Sequence, residues 1–183
     1  MNNYFRIFGV IVIINIVFLF TGCNSIELNS NPQEQAIKKI QKILELPILP
    51  VQYVEETTMV NSPDGKLVVA YYRDNNDRKY YVDVQTNIVV EIDARSILPS
   101  LANSKEIKTE EELQNIAKGC ASKIIPNFSD ISRELSFEGS GKIDNYFISW
   151  RNNIEEGMFM PKFLQFAYHK SGVLFAYINT LQV

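Results

Sequence analysis

The densest hydrophobic run spans residues 7–20, interrupted only by Gly9 and Asn15, and nothing later in the chain repeats it. Beyond it the pattern becomes periodic. After a polar, aperiodic stretch over 24–30, Ala36, Ile37, Ile40, Ile43 and Leu44 recur at three- and four-residue spacing, which predicts an amphipathic helix. Asn31 supplies a cap, Pro32 suits the first helical position, Glu34 is placed to complete a capping box, and Pro47 and Pro50 end the helix. Strand-like segments follow over 52–60, 66–73, 79–85 and 88–92, rich in Val, Ile and Tyr. They are separated by Ser62-Pro63-Asp64-Gly65, Asp74-Asn75-Asn76-Asp77 and Thr86-Asn87, and connections this short favour antiparallel neighbours.

The order then repeats. A composition break over 93–108 contains Pro99, Ser100, Asn103 and Ser104. After it Thr109 and Glu112 form a capping box, and Leu113, Ile116, Ala117, Cys120 and Ile124 mark one helical face until Pro126. Strands are predicted over 133–138, 143–151, 163–169 and 173–181, with Gly139-Ser140-Gly141 and Lys170-Ser171-Gly172 as turns. Tyr146, Ile148 and Trp150 alternate with Asn145, Ser149 and Arg151, giving one dry and one wet face, although Phe147 breaks the alternation. The chain reads as α+β, with two tandem units, each one helix packed on an antiparallel β-meander. The expected division is a leader over 1–22, a tether over 23–30, a first unit over 31–95, a linker over 96–108 and a second unit over 109–183.

Charge narrows the partners. The formal net charge is −3, and loss of the leader would take Arg6 with it, leaving no basic face with which to neutralise phosphates. Nucleic acid is not an expected partner. Lys38, Lys39 and Lys42 read as the solvated face of the first helix.

The leader has a short positive start, an apolar stretch shorter than the roughly 20 residues a spanning helix needs, and small residues at its end. It closes on Phe20-Thr21-Gly22-Cys23, which resembles the bacterial lipobox, with Phe20 where Leu is commonest. The resemblance implies cleavage before Cys23, a diacylglyceryl thioether on its sulfur, and anchoring at the extracytoplasmic face of a bacterial cell membrane. Two or three acyl chains hold a protein stably where one is marginal. An uncleaved anchor with a free thiol is the competing reading. Cys120, the other of the two cysteines, falls on the apolar face of the second helix and reads as a buried small hydrophobe.

A second resemblance rests on four segments. Glu110-Glu111-Glu112-Leu113 with Ile116-Ala117, and the hairpin Ala167-Tyr168-His169-Lys170-Ser171-Gly172-Val173-Leu174, are similar to the helix start and closing hairpin of the PepSY domain. In the first copy Gln33-Glu34-Gln35-Ala36 and Val82-Asp83-Val84-Gln85-Thr86-Asn87-Ile88-Val89 hold those places, with Asn87 where the family usually has Gly. Asn tolerates the left-handed conformation of a tight turn. The resemblance implies a PepSY/cystatin-like fold and a non-catalytic, protease-regulating or peptide-binding role, with no catalytic residues.

Direct inspection agrees in finding no catalytic constellation. His169 is the only histidine and reads as an exposed residue beside a turn; with one spare cysteine it falls short of a zinc site. Asp74-Asn75-Asn76-Asp77 lacks the glycine and distal glutamate of a calcium loop and reads as an Asx-rich hairpin connection. Glu55, Glu56, Glu155 and Glu156 read as surface charge. No cofactor or metal is expected. The candidate contact residues are Tyr71, Tyr72, Tyr80 and Tyr81, on neighbouring strands, and Met158, Phe159 and Met160, in a loop. Together these point to a non-catalytic, membrane-anchored envelope lipoprotein that binds an envelope protein or peptide. The alternative is a small-ligand carrier or sensor subunit with a pocket between helix and sheet.

Overall fold

The structure, a computed structural model, describes residues 31–59, 62–63, 65–154, 158 and 160–182. Helix α1, Pro32–Ile43, starts where the Asn31 side chain accepts a hydrogen bond from the Gln33 amide at 3.1 Å. The Asn31 amide also donates to the Tyr72 hydroxyl at 3.0 Å, and that hydroxyl donates to Gln33 Oε1 at 2.7 Å, so the cap is tied to the sheet below it. The helix ends before Pro47. Glu45 takes a φ of 55° and the Leu46 amide bonds back to the Gln41 carbonyl, the wrapped termination that satisfies orphaned carbonyls.

Four strands follow: β1 Val51–Met59, β2 Leu67–Asp74, β3 Lys79–Asp83 and β4 Val89–Asp93. A 3-10 turn at Arg95–Ile97 and a short helix α2, Leu98–Leu101, lead to α3, Glu110–Ile124, which opens on the reciprocal Thr109/Glu112 capping box that the sequence predicts. A further turn of helix, α4 Phe128–Ile131, precedes β5 Ser136–Lys142, β6 Asn145–Arg151, β7 Phe163–His169 and β8 Leu174–Asn179.

The expectation of two tandem helix-on-meander units is corrected here. Among the described residues, all eight strands form one antiparallel sheet in the order β1-β2-β3-β4-β8-β7-β6-β5, with four α-helices. The closing strands of the two meanders pair with each other, Glu91 opposite Ile178, Ile92 opposite Tyr177 and Asp93 opposite Ala176. The physical reason is edge satisfaction. Each meander alone would leave the N–H and C=O groups of its last strand without partners, and pairing β4 with β8 satisfies both edges at once.

The core is continuous across the seam. Ile37 and Ile40 of α1, Leu44 at its C-cap, and Leu113, Ala117 and Ala121 of α3 bury against one face of the sheet, built from Tyr72, Tyr80, Ile92, Tyr177, Phe166 and Trp150 among others. Trp150 meets Phe128 edge to face at 5.1 Å, a favoured aromatic geometry. Tyr146, Ile148 and Trp150 do face the core, and Phe147, the residue out of phase, packs edge to face on Phe175 at 6.0 Å.

One predicted turn is misplaced. Gly139-Ser140-Gly141 runs inside β5, and the reversal falls two residues later, where Ile143 adopts a φ of 47°. The glycines are needed for close approach. A Cβ at Gly139 would lie 2.8 Å from the Tyr146 hydroxyl, and one at Gly141 would lie 3.1 Å from the Tyr146 ring. The ring crosses the bare backbone so that its hydroxyl reaches Gln114 and Glu110 of α3.

The Asp74-Asn75-Asn76-Asp77 hairpin holds a buried carboxylate with four hydrogen-bond donors. Asp74 Oδ1 accepts from the amides of Asn76 and Arg78, while Oδ2 accepts from Arg78 Nε at 2.6 Å and from the Tyr80 hydroxyl at 2.9 Å. Arg78 also donates to the Pro47 carbonyl at 2.7 Å, and Gln41 Nε2 of α1 donates to the Tyr80 hydroxyl at 2.9 Å. The Asp74 and Arg78 side chains are 0% and 2% exposed, so removing either leaves an unpaired buried charge. Asp74→Ala is expected to lower the urea-unfolding free energy by about 3–5 kcal/mol. Arg73→Ala, which removes an exposed pair with Asp77, is expected to change it by less than about 1 kcal/mol.

Candidate functional site

The residues singled out from sequence separate into three groups. Cys23, the leader and tether before Asn31, and Phe159 lie outside the described residues. Tyr72 and Tyr80 have no exposed surface. They anchor α1 through Gln33, Asn31 and Gln41 and are part of the core. Tyr71 and Tyr81 point the other way and stack with ring centroids 5.2 Å apart and planes 17° from parallel, on the face that no long helix covers. Met158 and Met160 are half-buried in the connection between β6 and β7.

The Tyr71–Tyr81 stack is bordered by carboxylates. Glu55 of β1 is the cross-strand partner of Tyr71 and Glu91 of β4 that of Tyr81. Burial pushes the Glu91 carboxyl above the ordinary glutamate range, and the nearby Asp93 charge adds to this. Asp93 itself is held below the usual range by its paired hydrogen bonds with Arg95.

His169 differs from its sequence reading as an exposed residue. It is 3% exposed, and its Nδ1 accepts from the Ser171 amide at 3.2 Å and lies 2.8 Å from Ser171 Oγ. A serine and a histidine in contact resemble a nucleophile and its base, but both are buried in one tight turn, and Nδ1 is occupied by the backbone N–H. The arrangement fixes the β7–β8 turn. Sequence reasoning missed the burial because the turn is covered by a distant part of the chain: the Lys170 amide donates to Asp144 O, and Lys108 N donates to Lys170 O.

The same cover creates a cleft that the sequence did not reveal. Its volume is about 650 Å³, and three parts of the fold enclose it. Leu44, Glu45, Leu46 and Pro47, at the end of α1, form one wall; Ile116, Gly119, Cys120 and Lys123 of α3 form the second. Tyr168, Gly172, Val173 and Leu174 of the β7–β8 hairpin form the third, with Arg78 and Lys108 at the margin. Ile116 belongs to the predicted apolar stripe of α3, yet it stays 37% exposed because it fronts this space. Cys120 donates to the Ile43 carbonyl at 3.6 Å. Burial pushes its thiol up, which disfavours the nucleophilic thiolate.

Among the described residues no group of three or more His, Cys, Asp or Glu side chains is placed to hold a metal ion, and no helix is long and apolar enough to cross a membrane. Comparison with protein-family models, with curated proteins and with solved structures finds no match to the chain.

The Glu91 environment has a measurable consequence. A carboxyl whose folded pKa lies above its unfolded value is favoured in its protonated form by folding. Its contribution is present below the unfolded pKa and is lost as pH rises through the folded one. Glu91→Gln is therefore expected to raise the thermal midpoint relative to wild type at pH 7, with the difference vanishing in melts below the ordinary glutamate range.

Proposed function

We propose that the protein is a non-catalytic binding module of a bacterial cell envelope, held at the extracytoplasmic membrane face by lipid on Cys23, that takes an extended segment of a partner protein along strand β1. The observation that carries the peptide-binding part is the edge. β1 is nine residues long, pairs among the described residues with β2 on one side only, and is exposed at every position from Gln52 to Thr58. Tyr53 and Val54 remain 55% and 48% exposed, an apolar start to an otherwise polar edge. A bulge separates Tyr53 from Glu55, beyond which the pairing with β2 continues in regular register through Met59. An added strand would take its main-chain hydrogen bonds from this run, and Glu55 and Glu56 would favour a basic side chain in the partner. A regulatory role toward an envelope protease is one form this binding takes.

A second reading, a small-ligand carrier or sensor, is favoured by the cleft between the helices and the β7–β8 hairpin. Its volume lies within the roughly 300–1,000 Å³ typical of ligand sites.

The anchor is tested by intact mass of the membrane-fraction protein. Wild type is expected to have the mass of residues 23–183 plus a diacylglyceryl group, and Cys23→Ala to lack that group; an unmodified full-length wild-type mass would overturn the lipoprotein part. For the edge, Val54→Lys with Thr57→Lys places charge on the exposed strand without entering the core. Capture from envelope extract is expected to fall at least about tenfold, as loss of a few interface hydrogen bonds implies. Equal recovery by the double variant would remove β1 as the binding element.

A further inference from the structure

We propose that the cleft between the end of α1, helix α3 and the β7–β8 hairpin binds a small organic anion with an apolar body. The inference rests on the small-ligand reading of the cleft and adds the chemistry of the occupant. Two independent observations support it.

The first is charge. The cleft is lined by three cations, Arg78, Lys108 and Lys123, against the single carboxylate of Glu45. Arg78 is neutralised by Asp74 from behind, and Lys108 is shared with the largely exposed Glu106. Lys123 makes no ion pair among the described residues. Lys108 is also held in place. Its aliphatic stem lies across Gly172, where a Cβ would collide with Lys108 Cδ and Cε, and its amide bonds to the Lys170 carbonyl. The hairpin turn takes a φ of 88° at Gly172, so one glycine serves both the turn and the approach of the lysine stem. Between the two lysines the walls are apolar, from Leu44, Leu46, Ile116, Val173 and Leu174.

The second is Gly119. It sits in the interior of α3, where glycine is among the least favourable residues, and it lines the cleft. A Cβ built there meets nothing within 4 Å. The fold's own packing therefore does not require glycine at this position. Its bare backbone leaves the α3 wall of the cleft open to close approach by a bound molecule.

The test uses full-length protein in lipid nanodiscs, with empty nanodiscs as blank and three naphthalene probes in equilibrium dialysis: 2-naphthoate, 2-naphthylmethanol and 2-naphthylmethylammonium. Naphthoate is expected to bind at one equivalent and at least about tenfold tighter than the other two, the increment of one charge-assisted contact. Lys123→Glu is expected to remove that preference. Gly119→Ala is expected to raise the thermal midpoint while weakening naphthoate, and Gly119→Leu to abolish binding with the circular dichroism spectrum unchanged. Equal binding of all three probes would overturn the anion inference and leave the small-ligand reading standing. Absence of binding above empty nanodiscs for every probe would overturn both. Naphthoate binding unchanged by Gly119→Leu would place it outside the cleft and overturn the inference.

Discussion

The pairing of β4 with β8 is the constraint on which the rest of the structure depends. It joins two meanders through their closing strands, so that a palindromic order of eight strands has one continuous helix-covered face. α1 and α3 share one core on the same side of this sheet. α1 packs on β3 and β4, α3 packs on β6 and β7, and the two helices touch each other. Tyr177 of β8 and Ile92 of β4, paired across the seam, belong to the core both helices cover.

A buried polar cluster lies away from the seam. The Asp74–Arg78 pair lies at the hairpin beside the end of α1, and it ties that hairpin to Pro47 and, through Tyr80, to Gln41. Buried charge of this kind contributes little net stability compared with an apolar replacement, but it penalises any arrangement that separates its members. Here it fixes how α1 ends. The wrapped termination at Glu45 turns Leu46 inward and leaves Leu44 to Pro47 as the wall of the cleft. The cleft is therefore a by-product of joining the halves: it opens where the end of one helix stops short of the other helix and the opposite hairpin.

Several elements were legible residue by residue. Both long helices lie where the apolar spacing placed them; the Thr109/Glu112 capping box forms as read, while Asn31 caps the first helix through the Gln33 amide rather than in a box with Glu34. Asn87 adopts the left-handed conformation its turn demands, with a φ of 58°, in the place that Gly172 occupies in the second half. The alternation of Tyr71, Tyr72, Tyr80 and Tyr81 correctly implied that they divide between two faces, since strand periodicity is a property of neighbouring residues. The Gly139-Ser140-Gly141 turn failed because glycine signals both reversal and close approach. What distinguishes them, the Tyr146 ring lying over β5, comes from another strand.

By itself the sequence determined the local elements, the α+β class and the repeated helix-then-strands order, because each is written in spacing, capping and turn chemistry within a few residues. Tertiary structure alone decided that the two halves share one sheet, that His169 is buried, that Tyr72 and Tyr80 are anchors while Tyr71 and Tyr81 face outward, and that Gly119 opens onto a cleft. Each of these depends on which residues distant in the chain become neighbours. That choice is made by satisfying strand edges and burying a common core, and no single segment of the chain encodes it.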